Sequence, residues 1–175
     1  MKVLFVATIF FTVISSFVCK KKFKNIAHHQ ENSITAANEK INLRLKTYAT
    51  LAKKFVTNNN FSSSFYCLID MKIPSGKKRF FIYDHKSDSV INAGLVTHGS
   101  GSDTETGFLT FSNVPHSNAT SLGKYKIGKA YFGKFGLAFK LYGLNNSNST
   151  AFARAVVLHS HPNVLAYEVI PSPIL

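Results

Sequence analysis

The sequence predicts a mainly β protein of short antiparallel strands, led by one helix that follows an apolar N-terminal segment. Three observations carry that class. Apolar residues recur at helical spacing only once, at Ile41, Leu45, Tyr48, Ala52 and Phe55, spaced four, three, four and three. From Phe65 onward the pattern changes to short apolar runs rich in β-branched and aromatic residues, separated by turn material. Hydrophobic residues make up 45% of the 175 and charged residues 17%, which excludes a wholly disordered chain.

The first element is the run VLFVATIFFTVISSFV at residues 3–18, free of charged side chains, with Lys2 before it and Lys20, Lys21, Lys22 and Lys24 after it. A membrane-spanning helix needs about 20 apolar residues and a signal-peptide core about 7–15. The run sits between those limits, so residues 1–19 read as a signal peptide or a membrane anchor, with a buried core helix as the remaining alternative. Export to a periplasm or cell envelope is the expectation, with N-terminal membrane association through residues 3–18. The lysines that follow count against export. Val18 stands where a small residue would precede a lipid-modified Cys19. Residues 20–33, with His28 and His29, read as a polar linker, and residues 34–60 as the helix. Asn32 or Ser33 would cap its start, and Thr57-Asn58-Asn59-Asn60 would end it.

The strand runs follow in order: Tyr66–Ile69, Arg79–Tyr83, Val90–Val96, Tyr125–Ile127, Leu137–Leu141 and Ala155–Leu158. Pro74-Ser75-Gly76 and His85–Asp88 supply turns between them, and Arg79–Val96 reads as a hairpin turning at Lys86-Ser87-Asp88. Asn145–Thr150 is a further polar connection.

Charge and cysteine content narrow the function classes. Lys and Arg number 21 against 8 Asp and Glu, a formal charge of +13. Such an excess attracts nucleic acid, anionic lipid or acidic polymers. The lysines beyond residue 24 are scattered, with small groups at Lys53–Lys54 and Lys77–Arg79, and no nucleic-acid-binding signature accompanies them. A solvated basic surface facing an anionic envelope, and no nucleic-acid partner, is the reading. Two cysteines, Cys19 and Cys67, exclude a disulfide scaffold. No glycine-rich phosphate loop follows a strand and opens a helix. The carboxylates Asp70, Asp84, Asp88, Asp103, Glu105 and Glu168 show no paired spacing for a two-carboxylate hydrolase.

The informative residues are histidines at strand ends. Leu95-Val96-Thr97-His98 gives way to the loop Gly99-Ser100-Gly101-Ser102, and Ala155-Val156-Val157-Leu158 runs into His159-Ser160-His161-Pro162. An apolar run that ends in a polar group is how a rigid sheet presents a reactive side chain at its rim. Each histidine taken alone is also an ordinary structural or exposed residue. His159 and His161 lie on one strand face but lack a third ligand, so no metal is expected. No cofactor is expected either. Cys67, inside the apolar run Tyr66–Ile69, reads as core filling.

The stretch from Phe65 to Leu175 resembles the catalytic domain of the murein L,D-transpeptidases (YkuD-like). Four segments carry the likeness: Arg79–Asp84 with the strand leading into Thr97–Ser102; Phe111-Ser112-Asn113 with Ser121–Tyr125; Tyr131–Gly133 through Leu141–Leu144; and Arg154–Pro162, the most specific. The resemblance implies residues 61–175 as a partial domain of this kind, an L,D-transpeptidase-like antiparallel β-sandwich incomplete at its C-terminus. It also implies a cysteine acyl transferase acting on peptidoglycan stem tetrapeptides, in cell-wall cross-linking or remodelling. In that chemistry a thiolate attacks the carbonyl at the L-centre of diaminopimelate, D-Ala leaves, and an amine of a neighbouring stem takes the acyl group. A nearby histidine serves as base, because a free thiol is mostly protonated at neutral pH. By position His159 matches that base, with the Ser160 backbone carbonyl orienting its ring. His98, Ser121, Gly123 and His161 match substrate-side positions, and Asp103 is a candidate for an acceptor amine.

The family nucleophile lies in a Ser-x-Gly-Cys-Pro segment on the order of twenty residues past the base. Here Pro162–Leu175 resembles only the approach to it. The expectation is therefore that these 175 residues lack the nucleophile segment and are inactive alone. Two rivals stand beside this reading: a catalytically dead peptidoglycan-binding envelope module, and a binder of nucleic acid or anionic membrane driven by charge alone.

Overall fold

The computed structural model describes residues 35–61 and 64–169. The predicted signal or anchor at 1–19, with Cys19, and the linker at 20–33 lie outside the described residues. Among the described residues no helix is long and apolar enough to cross a membrane. The chain divides into two units, Met1–Lys54 and Phe55–Leu175.

The described part of the first unit is helical. Helix α1 covers 35–58 and ends in the second unit. Ile41, Leu45 and Ala52 are half-buried and Ala49 is buried, so the predicted stripe exists with one correction. Tyr48 is exposed and Ala49 takes its place, about 100° further round the helix. The tyrosine sits at the stripe's margin, where its polar tip stays in water.

The stop of α1 follows from Asn60, whose φ of 53° is left-handed and suits asparagine better than most residues. The Phe61 N–H then donates to the Val56 carbonyl at 3.1 Å and the Asn60 N–H to the Thr57 carbonyl at 3.4 Å. These are the paired bonds of a Schellman cap, and the ring of Phe61 stacks on Phe55 with centroids 5.8 Å apart, the apolar contact that accompanies it.

The predicted class holds: the second unit is built on two three-stranded antiparallel sheets, with strands β1 (Phe65–Ile69), β2 (Phe80–Asp84) and β3 (Ser89–Gly94) in the first. The order is β1-β2-β3. Tyr66 lies opposite Tyr83, and their rings stack at 5.1 Å. At the β2–β3 turn the Lys86 N–H donates to Asp84 Oδ1 at 2.8 Å, Asp88 adopts φ 50°, and the Tyr83 hydroxyl donates to the Asp88 carbonyl at 2.7 Å. A bulge at Ile82/Tyr83 shifts the register along β3. The Pro74-Ser75-Gly76 turn joins β1 to β2, closed by the Lys77 N–H on the Pro74 carbonyl. Residues far along the chain return to this turn. Glu168 accepts from the Lys78 N–H at 2.9 Å, and the Val169 N–H donates to the Gly76 carbonyl.

The second sheet has the order β4-β5-β6, with β4 at Tyr125–Gly133, β5 at Gly136–Gly143 and β6 at Val157–His159. β4 is far longer than the predicted Tyr125–Ile127. Its Lys126, Gly128 and Lys129 interrupt the apolar run, and the strand accommodates them with a bulge between Ile127 and Ala130. β6 is shorter than expected because Ala155 adopts φ 55° and belongs to the turn before the strand.

Among the described residues of the second unit the buried apolar side chains are Ile73, Phe81, Tyr83, Ala119, Ala138 and Ala151, half of them alanines. Buried Arg79, Ser75, Ser102, Ser121 and Asn148 accompany them. Hydrogen bonding therefore shares the work of packing. Phe132, Phe108, Tyr167 and Val114 are among the large apolar side chains left exposed.

The tyrosine pair gives this sheet an alkaline limit. Burial first, then the neighbouring Tyr83 and Asp88, push the Tyr66 hydroxyl up to about 12, and burial raises Tyr83 as well. An unfolded phenol ionises near ~10. A folded value raised above the unfolded one gives stability that is complete below about pH 10 and is lost as pH climbs toward 12. Phenolate absorbance followed against pH is expected to show a late component that coincides with loss of β-sheet circular dichroism. Tyr66→Phe should remove that component and shift the alkaline loss to higher pH.

Candidate functional site

The approach to β6 is set by Arg154. Its Nη1 donates to the Ser112 carbonyl at 2.8 Å, and its Nη2 donates to the Ala119 carbonyl at 2.6 Å and to Ser117 Oγ at 3.2 Å. One guanidinium thus gathers the irregular segment 112–121 against the turn that delivers β6. Asn113 adds to the clamp, accepting from the Thr150 hydroxyl and N–H and donating to the Asn146 carbonyl. The Asn145–Thr150 connection is ordered by a buried amide. Asn148 Nδ2 donates to the Lys124 carbonyl at 2.8 Å, and its Oδ1 accepts from the Asn145 N–H at 2.9 Å.

β6 then carries His159 to the rim. The Ser160 carbonyl lies 2.7 Å from His159 Nδ1. A carbonyl only accepts, so Nδ1 holds the proton and Nε2 is left as the nitrogen able to take one. Phe135, at the tip of the β4–β5 hairpin, stacks on the His159 ring at 5.0 Å and 14°, and meets His161 at 4.7 Å. The Asn163 N–H donates to His161 Nδ1 at 3.2 Å, so His161 presents Nε2–H. The structure brings together His159, with its ring orienter Ser160, and His161 as a proton acceptor and a proton donor against one aromatic ring, their own rings 6.1 Å apart. Lys134 Nζ stands 5.5 Å over that ring.

His98 lies in a hydrogen-bonded array of its own. Arg79 Nη2 lies 3.0 Å from His98 Nδ1, and Asp103 Oδ1 lies 2.7 Å from His98 Nε2. A guanidinium only donates, so Nδ1 accepts and Nε2–H donates to Asp103. Both ring nitrogens are occupied and the side chain is 6% exposed, against 46% for Asp103. His98 thus links the buried Arg79 to the half-exposed carboxylate of Asp103. Arg79 itself is 1% exposed, with Nε on the Val96 carbonyl at 2.8 Å and Nη1 on the Ile73 carbonyl at 3.2 Å. Burial lowers the guanidinium from its usual value, yet arginine keeps its charge in proteins. The Lys77–Arg79 group, expected as solvated basic surface, thus has its third member inside.

The loop after His98 is pressed against residues 117–120. A Cβ on Gly99 would run into the Asn118 carbonyl oxygen, and one on Gly101 into that of Ser117. Buried Ser102 accepts the Thr120 N–H at 2.9 Å, and the Gly99 N–H donates to Thr120 Oγ1 at 2.8 Å. Ser121 is buried, with Oγ 3.0 Å from the Tyr125 hydroxyl and 3.4 Å from Arg154 Nη1. Gly123 is fixed by φ 145° and by Asn148, whose amide a Cβ would strike. Both residues hold the segment in shape.

Cys67 lies mid-β1 opposite Ile82, in the first sheet, and burial raises its thiol above the ordinary value. It remains a protonated thiol at neutral pH. Among the described residues no group of three or more His, Cys, Asp or Glu could hold a metal ion. Sequence reasoning missed Phe135, Arg79 and Arg154 as site-building residues. The signals were a Gly-Lys-Phe-Gly turn between apolar runs, and single arginines heading the runs that lead into Tyr83 and His159.

A family model described as the L,D-transpeptidase catalytic domain matches residues 32–172, well over half of the chain and including α1. Comparison with curated proteins and with solved structures gives no match.

The buried end of the Arg79–His98–Asp103 array should matter more to stability than its exposed end. Arg79→Met leaves two carbonyls and a ring nitrogen unpaired, at about 1–3 kcal/mol for each buried group. Urea denaturation is expected to show a loss of about 3 kcal/mol or more for Arg79→Met and about 1–2 kcal/mol for Asp103→Ala. In nitrogen-15 spectra His98 should appear as the Nε2–H tautomer in the wild type. Equal losses for the two variants, or the opposite tautomer, would contradict the arrangement.

Proposed function

Because the chain belongs to the family of L,D-transpeptidase catalytic domains, we propose that its second sheet binds peptidoglycan stem peptides, with His159 as the base-side residue. The carrying observation is the Nδ1–H bond from His159 to the Ser160 carbonyl, which leaves Nε2 available at the rim. Phe135 stacks on its face and fixes the ring plane. The place of action that fits this substrate is the cell envelope, reached by export.

In the family reaction a cysteine thiolate adds to the scissile carbonyl carbon, the bond to the D-Ala nitrogen breaks, and the departing amine takes a proton. Of these parts the described residues supply the histidine. The cysteine they contain, Cys67, is protonated and lies in the other sheet. The reading is therefore a stem-peptide-binding L,D-transpeptidase-type domain in which Cys67 is not the nucleophile.

Two measurements test this. Mass spectrometry after incubation with a carbapenem, which acylates the family's cysteine, is expected to leave Cys67 unmodified; a stable adduct on Cys67 would overturn that reading. Pull-down with purified sacculi is expected to show saturable binding that persists in moderate salt. Phe135→Ala should weaken it about three- to tenfold, the equivalent of the ~0.5–1.5 kcal/mol of an aromatic pair. Binding that collapses with salt and ignores Phe135 would favour a purely electrostatic surface instead.

A further inference from the structure

We propose that Lys140 is a substrate-binding residue that receives a free carboxylate of the stem peptide. The inference rests on the reading of the second sheet as a stem-peptide site.

The register of that sheet carries the argument. Ala138 pairs with Tyr131 on one side and with His159 on the other. Directly opposed residues of antiparallel strands share a face, as do residues two apart on one strand. Tyr131, Ala138 and His159 therefore form one row across three strands, and Lys140 begins the next row on the same face, opposite Val157. Lys140 and Ala138 are about 7 Å apart along the strand, and His159 sits about 5 Å across from Ala138. Ala138 is buried and contributes only a methyl group, so no bulky side chain from that position separates the histidine from the lysine.

The ammonium is held in place by rings. Lys140 Nζ lies 5.8 Å from the Tyr131 ring centroid and 5.4 Å from that of Phe152, and Phe152 is itself stacked on Tyr142 at 4.7 Å and 10°. Two aromatic faces restrict a side chain that otherwise rotates freely, and they leave its charge uncompensated. Among the described residues no carboxylate pairs with it. A restrained, unneutralised cation on the same sheet face as the proposed base, its backbone one row away, is suited to an anion on the peptide being cleaved. A stem tetrapeptide brings such anions, and the carboxylate of its terminal D-Ala lies one residue, roughly 3.5 Å, beyond the scissile amide. The peptide's other carboxylates offer the same chemistry from a different distance.

Isothermal titration of the 175-residue protein with a synthetic stem tetrapeptide, and with versions amidated at each carboxylate in turn, tests the assignment. The wild type is expected to bind the free peptide about tenfold more tightly than the one amidated at the carboxylate that Lys140 receives. That peptide identifies the source. Lys140→Met should remove the preference while its thermal transition stays within a few degrees of wild type, and Lys140→Arg should keep it. If every peptide binds the wild type equally, or the preference survives in Lys140→Met, the Lys140 assignment fails and the stem-peptide reading stands. If none binds, the stem-peptide reading fails and takes this inference with it.

Discussion

The buried guanidinium of Arg79 is the contact on which the arrangement of the second unit rests. It reaches three separate pieces of backbone and side chain: the turn after β1 through Ile73, the exit of β3 through Val96, and the loop beyond through His98. Burying a charge is costly unless its hydrogen bonds are met. Here the acceptors are two carbonyls and an imidazole, and the countercharge, Asp103, is reached only through the ring of His98. The guanidinium therefore does more than cross-link. It dictates which nitrogen of His98 bears the proton, and so makes the ring a donor toward Asp103. A half-exposed carboxylate is held by a chain of two buried groups.

A second arginine does comparable work for the site itself. Arg154 binds Ser112, Ser117, Ala119 and Ser121 just before the chain turns into β6. The segment it gathers has no regular strand, and its backbone polar groups need side-chain partners for that reason. Ser102 supplies one to the Thr120 N–H and Thr150 one to the Asn113 carbonyl, Asn148 orders the connection that follows, and Gly99 and Gly101 let backbones approach closer than any side chain would allow. With few large apolar residues buried, these polar networks define the shape of the region. Where they end, β6 emerges with His159, opposite Ala138 and beside the hairpin tip that brings Phe135.

Much of this was legible in the order of residues. The strand runs at Tyr66, Arg79, Val90 and Leu137 stand out because β-branched and aromatic residues alternate with turn signals, and the structure forms strands there. The asparagine run after Thr57 announces the helix stop, since asparagine tolerates the left-handed backbone that Asn60 adopts. The Val-Leu-His-Ser-His-Pro stretch points to a histidine at a strand end. β4 was less legible because Lys126, Gly128 and Lys129 break the apolar pattern of a strand with solvent on part of its surface. Tyr48 was misplaced because apolar spacing fixes a stripe only to within about one residue's rotation.

By itself, then, the sequence determined the fold class, the family and the candidacy of His159, because each depends on local pattern or on residues adjacent along the chain. His159 and Ser160 are neighbours, and the bond between them needs no tertiary contact. Only the tertiary structure decided that both ring nitrogens of His98 are hydrogen-bonded, that Ser121 Oγ meets Tyr125 and Arg154, that Phe135 stacks on His159, and that Lys140 stands one row from His159 on the same sheet face. Those outcomes depend on partners 19 to 33 residues away in the chain or on strand register. Hydrogen-bond donors and acceptors carry no sign of their partners in a linear sequence. The fold assigns them when it removes water and leaves each buried group only the neighbours within reach.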